Sequence, residues 1–235
     1  MPRMSEIIPH IPLIDWLALA WLVICWAGYG WYSEHSSAAK RGLIGISKLY
    51  RERWARAMLD RDLRVADAGL IGNLMSTVSF YANTTIYIIA GLFALLGTLD
   101  KVIDVAADLP FARNASAATV ELKLLVLLAI FIVAYFKFTW ALRQFNLLTI
   151  LVGAAPPPDD PKREAAVKPM AAANSFAGDE FNRGIRAYYF GIATVTWMIH
   201  PWLFIGVTSA ILLVLYRRDF SSSVLSVLND AERDQ

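Results

Sequence analysis

Residues 68–99 read AGLIGNLMSTVSFYANTTIYIIAGLFALLGTL, 32 consecutive positions without a charge between Asp67 and Asp100. A hydrocarbon layer about 30 Å thick needs roughly 20 apolar residues in a helix, so this stretch can cross with length to spare. Three more segments share its character. One covers about 11–32 with Asp15 as its only charge, one covers 120–142 around an apolar run bracketed by Lys123 and Lys137, and one covers 187–216 with no charge at all. The composition agrees. Of 235 residues, 57% are hydrophobic and 18% charged, against about 45–50% and about 25% in soluble domains. A globule of this size cannot bury such an excess. The expected fold is all-α: an integral membrane protein in a single membrane domain with four transmembrane helices, a cytoplasmic amphipathic helix and a Pro-rich inner loop.

The first span is expected to be retained. A cleavable signal has an apolar stretch of roughly 7–15 residues and a small-residue cleavage site. Here the stretch is longer and ends in Trp26, Tyr29, Trp31 and Tyr32, an interfacial aromatic belt. The bulk numbers also exclude several classes. A net charge of +2 gives no field for nucleic acid, and the lone cysteine, Cys25, gives no disulfide and no multi-cysteine metal site. His10, His35 and His200 lie too far apart in sequence for a ligand motif, so neither a metal nor a cofactor is expected.

Basic residues set the expected orientation. Eight lie between spans one and two and six between spans three and four, 14 in all, against seven on the other side. The positive-inside rule places the 14 in the cytoplasm of a cell membrane and both termini outside it, although Arg217 and Arg218 count against that assignment.

Residues 43–61 place Ile46, Tyr50, Trp54, Ala57 and Met58 at helical spacing, with Glu52–Arg56 and Asp60–Arg64 pairs at i, i+4. Such a helix either lies on anionic lipid headgroups with Trp54 among them or packs on the protruding ends of spans two and three. Residues 155–168, with Pro156–Pro158 and Pro161, read as a mobile linker. In the outer segment, Pro110 is a breaker beside Asp108, and Ser116 is an expected cap three residues before Thr119.

Polar residues inside the membrane are expensive and so are the candidate site. In span two, Asn73, Ser76, Thr77, Asn83, Thr84 and Tyr87 form one polar face, and Ala68, Gly72 and Ser76 form a small-residue face. Both suit helix–helix contact, and the polar face also suits a solute path. Lys137 either snorkels or pairs with Asp67 or an internal polar site. Arg143 marks the inner boundary, where it and Asp67 form a candidate ion pair. His200 precedes Pro201, which in a continuous helix would free the Trp197 carbonyl. The charge-free stretches of spans two and four then place Asn83, Thr84, Thr196 and His200 at one depth as a shared polar cluster.

Several motifs occur in order: Asp62-Leu63-Arg64 with Asp67, Leu70-Ile71-Gly72-Asn73-Leu74, Tyr135-Phe136-Lys137-Phe138-Thr139-Trp140, Leu142-Arg143-Gln144-Phe145-Asn146, Phe181-Asn182-Arg183-Gly184, Arg186-Ala187-Tyr188-Tyr189 and His200-Pro201-Trp202. Through them the chain, over about 10–220, resembles a family of uncharacterised integral membrane proteins of bacteria and plants, a domain of unknown function. The resemblance implies a multi-helix membrane protein and carries no catalytic residue.

Two function classes follow. One is a non-catalytic small channel or carrier, oligomeric because four helices leave little room for a path within one chain. The other is an assembly subunit whose basic helix docks a partner. An enzyme is not expected, since no nucleophile–base pair can be placed at one depth.

Overall fold

The computed structural model describes residues 11–37, 39, 42–107 and 116–233. Every regular element among them is an α-helix. In chain order these are α1 (Leu13–His35), α2 (Leu43–Leu59), α3 (Val65–Gly97), α4 (Leu99–Ala107), α5 (Ala117–Gly153), α6 (Arg163–Thr196), α7 (Pro201–Phe220) and α8 (Ser223–Arg233). Three of them, α1, α3 and α5, are long and apolar enough to cross a membrane. Large apolar side chains such as Leu17, Ile24, Phe93, Ile150 and Leu213 point outward from the bundle, where lipid is the solvent that tolerates them.

Local chemistry accounts for the helix ends. Ser116 caps α5 as expected, its Oγ accepting from the Thr119 backbone N–H. At 37 residues α5 is about 55 Å long. It therefore outruns the hydrocarbon and continues past Arg143 to Gly153. The breaker at Pro110 and its neighbour Asp108 lie outside the described residues, as does His10.

The fourth span is not one helix. The uncharged run 187–216 is broken where α6 ends at Thr196 and α7 begins at Pro201. His200 is extended (φ −155°, ψ 135°), and its Nδ1 accepts from the Trp202 N–H at 3.2 Å. Proline fits the first turn of a helix, where its missing N–H leaves nothing unpaired. The His-Pro pair thus starts a helix instead of kinking one. The contacts fix the direction of α7. Along α1, Asp15 meets Trp197, Trp21 meets Ser209, and Tyr29 meets Asp219, so α7 runs parallel to α1. Along the same helix, Glu34 meets Arg183 and Trp26 stacks on Phe190, so α6 runs antiparallel. Helices α6 and α7 form a hairpin with its tip at Trp197–His200. The start of α1 and the end of α7 consequently lie at opposite ends of the bundle.

Helix α2 packs on the bundle. Ile46, Ala55, Met58 and Leu59 are buried, chiefly against α6 rather than against the ends of spans two and three. Burial lowers the proton affinity of the Arg51 guanidinium, and the Asp179 carboxylate opposes that shift. The Pro-rich segment is tied down as well. Arg64 donates to the carbonyls of Ala155 (3.0 Å) and Pro156 (2.5 Å), and Arg163 donates to that of Pro158 (3.1 Å). Helix α6 already starts at Arg163, so the expected linker 155–168 is shorter and anchored.

The core runs between α5 and α6, where Gly184 and Gly191 face the rings of Phe138 and Phe131. A Cβ at Gly184 would overlap Phe138, whose side chain is fully buried. Gly184→Ala is therefore expected to cost roughly 1–3 kcal/mol of stability, read as a lower unfolding midpoint in detergent. Gly91→Ala, with open space around it, should leave that midpoint within error.

Candidate functional site

Four groups of side chains hold the chemistry of the bundle. The first is at the hairpin tip, where Trp197 of the turn meets one residue from α1 and one from α5. Asp15 (2% exposed) accepts from the Trp197 indole N–H at 2.8 Å and pairs with Lys123 (5% exposed) at 3.4 Å. Lys123 Nζ also donates to the Trp197 carbonyl at 2.9 Å. The carbonyl expected to be freed by Pro201 therefore has its partner, supplied by α5. Buried charges persist only when paired and hydrogen-bonded, and this group satisfies both conditions.

The second group fills the middle of the bundle. Tyr81, Phe131, Phe138, Phe181 and Tyr188 pack together, mostly edge to face, with ring centroids 5.2–5.8 Å apart. Thr85, fully buried, bonds to the Tyr188 hydroxyl at 2.7 Å and donates to the Tyr81 carbonyl at 2.6 Å. Aromatic side chains thus occupy the space a path through one chain would need.

The third group is ionic and lies at the end that carries α2. Arg183 holds Glu34 with two hydrogen bonds of 2.8 and 2.7 Å, and Arg186 reaches the same carboxylate at 2.9 Å and also bonds Ser33. Arg183 further pairs with Glu180, and Lys137 meets Glu180 at 3.0 Å. The hydrogen bonds to Glu34 raise the pKa of the Arg183 guanidinium above its usual value. A cleft of about 570 Å³ opens beside this network, lined also by Lys48 and Asp179, which pair at 2.9 Å.

The fourth group is the polar face of α3, and it points outward. Asn73, Ser76, Thr77, Asn83 and Tyr87 are exposed, together with Ala68, Gly69 and Gly72, while the opposite face buries Ile71, Val78, Ala82, Thr85 and Leu92. A helix turns 100° per residue, so positions 69, 76, 83 and 87 fall on one line along the rod, with one exposed ring, Phe80, beside it.

The structure therefore separates residues that the sequence grouped. Asn83 faces away from the bundle, and Thr84 is only partly covered. Thr196 donates to the Ala193 carbonyl, and His200 caps α7 at the hairpin tip. No shared cluster of Asn83, Thr84, Thr196 and His200 forms. Lys137 pairs with Glu180 and not with Asp67. Asp67, fully buried, takes Arg61 at 2.5 Å and the Trp54 indole N–H at 2.8 Å. Arg143 is exposed, with its guanidinium over the Trp140 ring at 5.3 Å, so the Asp67–Arg143 pair is absent. The triad of Asp15, Lys123 and Trp197 was missed because each charge sits at the edge of its own span. The Glu34, Arg183 and Arg186 network was missed because the carboxylate lies on α1 and both arginines lie on α6, far along the chain.

A helical bundle with apolar outer walls, an aromatic-filled middle and ionic groups at both ends is the class this geometry defines: a membrane-embedded protein. The chain belongs to the protein family of unknown function DUF599, whose model matches residues 17–224. No curated protein and no solved structure matches it.

Proposed function

We propose that the protein is a small oligomeric channel of a cell membrane in which α3 lines a path between copies of the chain. The observation that carries this reading is the outward polar face of α3 on a bundle whose own middle is filled. Two carboxamides, Asn73 and Asn83, stand exposed on a helix long and apolar enough to cross a membrane. Each amide left against hydrocarbon costs several kcal/mol. Water in a pore between copies, or the same face of a neighbouring copy, removes that cost. The small residues at 68, 69, 72 and 76 allow such helices to approach closely at the end near Asp67. Docking a partner through α2 has less support, because the apolar side of that helix is already covered by α6.

Single cysteines at Asn83 and Ile86, introduced with Cys25 replaced, test the reading in proteoliposomes. A charged, membrane-impermeant thiol reagent should label position 83 and spare the exposed apolar position 86. Labelling at 83 should also block the flux of small hydrophilic solutes. Protection of position 83 together with its ready disulfide cross-linking between copies would show a dry contact and overturn the channel.

A further inference from the structure

We propose that the groove between α1 and α5 is a binding site for one anionic phospholipid. The two helices are held together at the hairpin-tip end by Asp15 and Lys123. Towards the other end a lateral groove of about 540 Å³ opens between them, floored by α6. Its walls are apolar, with Val23, Trp26 and Ala27 on α1 and Val133 on α5. Its base is cationic, with Lys137, Arg183 and Arg186 beside Glu34. An apolar trough ending in fixed positive charge matches an acyl chain joined to a phosphate.

Charge and depth both support this occupant. Three cations at the base share two carboxylates, Glu34 and Glu180, which leaves one positive charge uncompensated. Lys137 and Arg183 keep about a third of their side chains exposed (36% and 35%), so both can add a further oxygen ligand without breaking an existing pair. Lys137 lies roughly 10 Å below the middle of α5's apolar run, and its stem carries the ammonium on to headgroup level. A water-soluble anion would satisfy the cations but leave the trough open, which is why the occupant is a lipid. The excess charge selects an anionic headgroup over a zwitterionic one.

Native mass spectrometry of the full chain tests the assignment. The protein is released from detergent and titrated with phosphatidylglycerol, with phosphatidylcholine of the same acyl chains, and with glycerol phosphate. One phosphatidylglycerol should remain bound at concentrations where neither other probe does. Lys137→Gln should weaken it by about fivefold, the worth of one charge-assisted contact. Val133→Trp, at a partly exposed position in the trough, should remove the adduct without lowering the unfolding midpoint. Equal retention of phosphatidylcholine, binding of glycerol phosphate alone, or an adduct indifferent to Val133→Trp would each overturn the proposal. The test does not depend on whether α3 conducts.

Discussion

Replacing Lys123 with methionine is expected to destabilise the protein by about 3–5 kcal/mol, the typical cost of stranding a buried carboxylate. The substitution keeps most of the side-chain volume but leaves Asp15 facing a hydrophobe, and it removes the donor to the Trp197 carbonyl. Asp15→Leu alone should also lower stability, because the buried ammonium then loses its carboxylate. The double variant should recover most of the loss, because two buried charges replaced by apolar groups are often neutral or better. Chemical unfolding of all four proteins in one detergent closes the cycle. Simple additivity of the two single losses would show that Asp15 and Lys123 are not coupled.

The hairpin sets a second expectation, all-or-none in size. With α7 running back along α6, Arg217, Arg218 and Arg233 join the 14 basic residues already on the α2 side. The distribution becomes 17 against four, with Lys137 between them. The positive-inside rule then has no counterweight. The N-terminus should lie outside the cell and the C-terminus inside. Cysteines at Asp160 and Ser223, with Cys25 removed, should both resist an impermeant reagent in intact cells and label after permeabilisation. A cysteine at Val105 should label without it. Labelling of position 223 in intact cells, with 160 protected, would refute the hairpin as a membrane element.

These two cases show what the sequence discloses and where it stops. The helices α1, α3 and α5 follow from the length of their apolar runs, because hydrocarbon thickness is a single number that composition can be tested against. Ser116 and α2 are likewise local and legible. The fourth apolar run misleads because an uncharged stretch looks alike whether it crosses once or turns back. The distinguishing signal, Pro201 after a capping side chain, is also compatible with a continuous helix that merely loses one hydrogen bond at the Trp197 carbonyl. That one reading displaced His200 from the hairpin tip to the membrane middle and paired it with Asn83. The polar stripe on α3 was found by periodicity, but periodicity gives the width of a face and not what the face meets. The buried ion pair joins residues far apart in the chain, and spacing holds no record of such a pair.

The α6–α7 hairpin also constrains how the protein is made. Before Pro201 emerges from the ribosome, α6 offers the translocon only the short uncharged stretch from Ala187 to Thr196, preceded by Arg183 and Arg186. Ten residues cannot hold a helix across a bilayer that needs roughly twenty. Lateral release of α6 is therefore expected to wait for α7, with the two helices entering lipid as a pair. On that expectation the hairpin is a single unit of biogenesis, and a stop codon anywhere in α7 should leave α6 stranded at the membrane surface.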